Sequence, residues 1–142
     1  MKVKQISVFM ENKSGRLAQI TRVLGDADIN ILTLSLADTA DFGILRLLVS
    51  DNEKAVRALK AAGFTVGEND VLAVDIPDRP GGLADFLELI GVNDINIEYM
   101  YAYRKGGKSI LIFRFEDLDR AGKIFADTPF KLLSSEELYG LS

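Results

Sequence analysis

Apolar residues change their spacing along this chain in a fixed order. Val3 to Met10 reads as a strand, after which Leu17, Ile20, Val23 and Leu24 fall on one face of a helix, with Gly25 expected as its C-cap. Ile29 to Ala37 and Ile44 to Val49 have the composition of strands and are separated by a turn around Thr39 to Phe42. Ile29 and Ile31 are expected to point one way, and Leu32, Leu34 and Leu36 the other. Asp51 is placed to cap a second helix built on Ala55, Leu59 and Ala62 and ended by Gly63, and Phe64 to Val66 makes a last short strand. The resulting order, βαββαβ, is the ferredoxin-like or split βαβ unit.

The order occurs twice. Gly15 recurs as Gly81, an offset of 66 residues, and at this offset Asp28-Ile29-Asn30-Ile31 returns unchanged as Asp94-Ile95-Asn96-Ile97. Leu17-Ala18, Gly25, Ile44-Leu45, Asp51, Ala55 and Phe64 reappear without a gap as Leu83-Ala84, Gly91, Ile110-Leu111, Asp117, Ala121 and Phe130. The fold class expected is α+β, two tandem ferredoxin-like units with antiparallel sheets. Their bounds are residues 1–69 and 70–142, with the boundary in a polar stretch near Glu68 to Asp70 too short for a flexible linker. The middle strands are apolar on both faces, so the units are expected to pack together and the chain to form a homodimer.

Composition narrows the chemistry. A chain of 142 residues, 48% hydrophobic and 27% charged, fits one or two small globular domains and needs no disulfide or metal to hold its core. It contains neither Cys nor His, which excludes Ser-His and Cys-His nucleophiles, zinc fingers and thiol redox chemistry. The net charge of -4 is wrong for general phosphate-backbone binding, so no nucleic acid partner is expected. The apolar stretch behind Met1-Lys2-Val3-Lys4 is too short for a signal peptide, and no run approaches the roughly 20 apolar residues of a membrane helix. A cytoplasmic protein without membrane partner or cofactor is the expectation.

Two polar constellations repeat with the fold. Asn12-Lys13-Ser14-Gly15 and Asp78-Arg79-Pro80-Gly81 each join a first strand to a first helix, where unpaired backbone N–H groups and the positive end of the helix dipole suit a carboxylate. The glycine permits close backbone approach, and the Asn or Asp side chain supplies acceptors for an ammonium group. An ordinary helix start explains the same residues more plainly. Asn30 and Asn96, each just after a turn, are read locally as parts of Asx turns or, with the loops, as ligand-binding amides.

These residues resemble the ACT domain, a family that binds small molecules, in its tandem stand-alone form, and the resemblance covers essentially the whole chain. The family's loose signature is Asn or Asp, a basic residue, often Pro, then Gly and an aliphatic residue, followed some fifteen residues later by Asn-Ile. Asn12, Lys13, Gly15, Leu17 and Asn30-Ile31 match it, as do Asp78, Arg79, Pro80, Gly81, Leu83 and Asn96-Ile97. Ala37 to Arg46 also resembles the first hairpin of stand-alone tandem ACT proteins. The resemblance implies a non-catalytic regulator that binds a free amino acid at domain interfaces and controls a metabolic enzyme or transcription. Ser14 departs from the commoner Pro, and Met10 and Ile76 stand where relatives often carry His, which suggests a more apolar ligand. Arg16 and Gly82, which follow the loop glycines, complete the candidate binding residues. Because Asn12 and Arg16 face Asp78 and Gly82 across the repeat, a carboxylate is expected to prefer the first loop.

Other readings compete. Tyr99, Tyr101 and Tyr103 alternate along one strand face, a platform for bases as in an RNA-recognition motif, which shares this topology, although such stripes are more often core or interface. A purely structural dimerisation module is a further alternative. Glu116-Asp117-Leu118-Asp119 reads as a solvated helix start without the ligand set of a metal site, and the Arg and Asn loop of an acylphosphatase is not evident.

Overall fold

A computed structural model of the chain describes residues 2–38 and 41–140. The chain divides into two compact units, Lys4–Asn69 and Met1–Val3 with Asp70–Ser142. Along the first run β1 (Val3–Glu11), α1 (Arg16–Asp26), β2 (Ile31–Asp38), β3 (Phe42–Val49), α2 (Asn52–Ala61) and the start of β4 (Thr65–Ile76). The second takes the rest of β4, then α3 (Gly82–Val92), β5 (Ile97–Lys105), β6 (Lys108–Phe115), α4 (Leu118–Ala126), β7 (Lys131–Leu133) and α5 (Ser135–Tyr139). The strands of the first unit lie in the order β2-β3-β1-β4, with β3 antiparallel to both β1 and β2. In the second the order is β5-β6-β4, with β7 on the other side of β4, and the pairs β5–β6, β4–β6 and β4–β7 are antiparallel. The fold is α+β, a βαββαβ unit made twice.

Backbone chemistry sets the helix ends. Gly15 and Gly81 enter α1 and α3 with left-handed φ of 87° and 86°, a region open to glycine because it lacks a Cβ. The expectation that Gly25 caps the first helix is corrected: Gly25 lies inside α1, Ala27 is the C-cap, and the left-handed residue is Asp28 at φ 60°. Asp94 does the same after α3 at φ 51°. There the amides of Asp28 and Ile29 return to the carbonyls of Gly25 and Leu24, and those of Asp94 and Ile95 to Gly91 and Ile90, which satisfies the last turn of each helix. Asp51 and Asp117 cap α2 and α4 as expected, accepting from the amides of Lys54 and Arg120 at 3.1 Å each.

Each sheet buries one face under its helices. In the first unit Ile6, Val8, Met10, Leu45, Leu47 and Val49 meet Ile20, Leu24, Ala55 and Leu59. At the same repeat positions the second unit exchanges aliphatic for aromatic side chains: Ile20, Leu47, Val49 and Leu59 become Phe86, Phe113, Phe115 and Phe125, whose neighbouring ring centroids lie 5.0 to 5.6 Å apart. On the opposite face Gln5, Ser7 and Leu48 in one unit, and Val71, Ala73, Ile110, Ile112 and Leu133 in the other, are also buried. Ser7 Oγ donates to Asn69 Oδ1 at 2.6 Å.

Three local expectations change. The second strand begins at Ile31 rather than Ile29, and a β-bulge between Ile31 and Thr33 turns Leu34 and Leu36 to the same side as Ile31, opposite Leu47 and Leu45. The bulge recurs between Ile97 and Tyr99. The short strand expected at Phe64 to Val66 is the start of the twelve-residue β4, which crosses the unit boundary unbroken. The C-terminal α5 was not foreseen although Ser134 and Glu137 form a reciprocal capping box. Thr39 and Ala40, which the sequence places in the first hairpin turn, lie outside the described residues.

Two glycines separate packing from propensity. A Cβ on buried Gly82 would lie 2.2 Å from the Pro77 carbonyl oxygen, whereas one on Gly25 would meet nothing within 4 Å. Gly82→Ala is expected to destabilise the protein by about 1–3 kcal/mol. Gly25→Ala should stabilise it by about 0.5–1 kcal/mol through helix propensity. Urea denaturation of both variants checks this, and equal midpoints would refute the packing role of Gly82.

Candidate functional site

The two β–α loops are built alike and charged differently. In the first, the Asn12 amide donates to the Asp41 carbonyl at 2.9 Å and the Lys13 amide to Glu11 at 2.8 Å, so the loop turns sharply before Gly15. No side chain caps α1 or α3, whereas Asp51, Asp117 and Ser134 cap the remaining helices. Lys13 Nζ holds Glu11 at 2.8 Å, and this hydrogen bond, with the Lys13 charge, keeps the exposed Glu11 carboxyl below its usual pKa. In the second loop Asp78 is engaged by Arg104 at 2.5 Å and Arg79 by Asp85 at 3.0 Å. Leu17 packs at the edge of its core and Leu83 is exposed, while Gly82 sits under Pro77 as a packing residue.

Asn30 and Asn96 are exposed residues just before β2 and β5, held by backbone bonds. The Asn30 carbonyl accepts from the Ser50 amide at 3.0 Å and that of Asn96 from Glu116 at 3.1 Å, so these bonds do not depend on the amide side chains. Asn30 therefore stands at the Val49 end of β3, while Asn12 stands at its Phe42 end. Eight strand residues separate the two ends, about 25 Å. Within this unit the two sequence signals are not brought together.

A cleft of this unit lies beside the loop. It has a volume of about 430 Å³ and is lined by Phe9, Glu11, Arg16, Gln19, Phe42 and Phe64, among others. Of the expected binding residues only Arg16 reaches it. A cleft of about 550 Å³ in the second unit takes in Arg79, and a smaller one of about 300 Å³ takes in Asp78 beside Arg104 and Lys108. Sequence reasoning did not count Phe9, Glu11, Gln19, Phe42 and Phe64 among the binding residues; the recurrence of Phe64 as Phe130, the hairpin stretch that holds Phe42, and Met10 in the place where relatives often carry His were the signals that touched the cleft.

A family model described as an ACT domain pair matches residues 1–141. The chain belongs to the ACT domain pair family. Among solved structures this pair is similar to protein BT0572 from Bacteroides thetaiotaomicron, at 40% identity and a TM-score of 0.92 over 99% of this chain and 98% of that one. It shares its fold with the ligand-free regulatory subunit of aspartate kinase from Thermus thermophilus, at 14% identity and a TM-score of 0.61 over 87% and 90% of the two chains. The fold also recurs in E. coli aspartokinase III in complex with lysine and aspartate, at 13% identity and a TM-score of 0.52, covering 89% of this chain and 31% of that one. No curated protein matches the sequence.

Elsewhere in the ACT pair, the tyrosine stripe faces Arg114, Ile112 and Ile110 across β5–β6. Tyr99 and Tyr101 are half-buried and Tyr103 is only 8% exposed, so the stripe sinks into the fold toward its hairpin end. Asp119, in the acidic helix start, pairs with Lys2 at 2.9 Å. Among the described residues no group of carboxylates is arranged to hold a metal ion, and no helix is long and apolar enough to cross a membrane.

The Tyr103 hydroxyl is buried without a hydrogen-bond partner among the described residues, and burial raises its pKa; burial and then the nearby Tyr103 raise that of Tyr139. Folded-state values above the unfolded 10.0 mean that this stabilising contribution is whole below pH 10 and is lost as pH rises through the folded values. Tyr103→Phe is expected to leave neutral-pH stability unchanged or slightly higher and to blunt the alkaline loss. Thermal melts on both sides of pH 10 check it; a destabilisation above about 1 kcal/mol at neutral pH would show that the hydroxyl has a partner.

Proposed function

We propose that this ACT domain pair is a non-catalytic cytoplasmic regulator, with domains at 1–69 and 70–142, that binds a free amino acid as a homodimer and controls a metabolic enzyme or transcription. The observation that carries the reading is the divided placement of the two repeated signals. A loop with an uncapped helix start suits a carboxylate, the exposed Asn suits the ammonium or side chain, and they stand at opposite ends of one sheet. A site that uses both needs a second domain.

The β2 edge offers the means. β2 is the outer strand of its unit and carries Leu34 and Leu36 at 44% and 45% exposure on the helix side. Unpaired strand edges with exposed apolar residues invite pairing. Two copies joined antiparallel along β2 bring Asn30 of one copy to the sheet end that carries Asn12, Lys13, Gly15, Arg16 and Leu17 of the other. In the second domain Asn96 with Asp78, Arg79, Gly81, Gly82 and Leu83 forms the corresponding set, but Arg104 occupies Asp78 and Arg16 has no counterpart.

The screen is a thermal shift against the twenty amino acids. A ligand at 100 times its Kd adds about 2.7 kcal/mol of stability, and silence from all twenty overturns the reading. With the ligand in hand, Asn30→Ala should weaken binding more than Asn96→Ala, and neither should cost appreciable stability because both side chains are exposed. Calorimetric titration decides between them: equal losses, or a larger loss for Asn96→Ala, remove the preference for the first loop. Light scattering that finds a strict monomer removes the dimer.

A further inference from the structure

We propose that the cleft inside the unit Lys4–Asn69 is a binding site of its own, for a small carboxylate with an aromatic or branched aliphatic body, and that it takes this ligand without an ammonium group. Of the residues that the repeat and the family signature single out, Met10 and Arg16 line it while Asn12, Lys13, Gly15 and Asn30 do not, and it needs no second domain. Its volume of about 430 Å³ falls in the range of small-molecule pockets. Two large apolar side chains, Phe9 at 50% and Phe42 at 62% exposure, stand in its wall with the half-buried Phe64. An apolar ligand body would cover them.

The charge in the cleft selects an anion. Glu11 is held by Lys13 at 2.8 Å, whereas among the described residues Arg16 makes a 4.0 Å approach to Glu11 and a 3.3 Å hydrogen bond to Gln19 Oε1. The guanidinium thus keeps donors for a carboxylate, which it can grip through two parallel hydrogen bonds. For an ammonium group the side-chain acceptors named here, Glu11 and Gln19 Oε1, are already engaged by the cations Lys13 and Arg16.

The chain holds its own comparison. The offset of the repeat carries Phe9, Gln19, Phe64 and Thr65 of this cleft onto Asp75, Asp85, Phe130 and Lys131 of the cleft in the second unit. There each charged side chain is already matched: Asp75 with Lys108 at 2.9 Å, Arg79 with Asp85 at 3.0 Å and Lys131 with Glu137 at 2.8 Å. Lys108 stands at the repeat position of Phe42, so an ion pair in one unit replaces the two exposed phenylalanines of the other, and Gly82 replaces Arg16. One cleft is closed on itself and the other is open to an apolar anion.

The test uses 3-phenylpropionate as the probe and phenethylamine as its cationic counterpart, titrated by calorimetry into the full chain. Wild type should bind the carboxylate and not the amine. The double variant Phe9→Asp/Phe42→Lys copies the ion pair that the second unit already accommodates, and it should lower affinity at least about tenfold, as should Arg16→Gln. Unchanged thermal melts show that both variants fold. Failure of the probe to bind, or binding that neither variant weakens, overturns the proposal. Loss of the probe in Asn30→Ala with retention in the double variant also overturns it, while leaving amino-acid sensing between domains intact.

Discussion

Left-handed backbone at both ends of the first helix of each unit is the constraint on which the rest depends. Gly15 and Gly81 turn the chain into the helix, and Asp28 and Asp94 turn it out again. For an aspartate that conformation is uncommon, and it is tolerated because the side chain is short and polar. With the chain direction set at both points, each helix must return across its sheet, and its apolar stripe meets the alternating face of β1 and β3, or of β4 and β6. The repeated Asp-Ile-Asn-Ile follows from this geometry: Asp makes the turn, Ile enters the core, Asn emerges into water and the second Ile starts the strand.

The cores show how little the identity of a buried side chain matters once that geometry is set. Four aliphatic positions of one unit become four phenylalanines of the other, and the βαββαβ order is unchanged. What differs outside the core is local: Gly82 lies so close to the Pro77 carbonyl that a Cβ there would be 2.2 Å from its oxygen, while the repeat position in the first unit carries Arg16.

What was legible in the sequence follows from the range of each interaction. Caps are local, so Asp51 and Asp117 could be placed from their neighbours alone, and the duplication exposed the βαββαβ order twice. The bulge after Ile31 depends on the register with β3, a pairing across many residues, so alternation alone put Leu34 and Leu36 on the wrong side. The end of the first unit looked like a short strand because its polar continuation, Glu68 to Asp70, lacks the apolar pattern that marks a strand, yet it is β4 backbone. In the candidate site, the loops and Asn residues were readable as motifs. The cleft was not, since Phe9, Gln19 and Phe64 come together only through the packing of β1, α1 and the turn after α2.

The separation of loop and amide has an energetic consequence beyond geometry. A ligand that bridges two domains binds the associated state and not the separate one, so its binding free energy adds to that of association. Linkage makes the effect reciprocal: whatever strengthens pairing along β2 raises ligand affinity by the same factor. A site within one unit gains nothing from association by itself, but a guanidinium shared by both sites, as Arg16 would be, makes their ligands compete. An ACT pair with both kinds of site would couple them through Arg16, and the repeats, which share the glycine-led helix start, differ in charge at Arg16, Asp75 and Lys108, where such coupling would be felt.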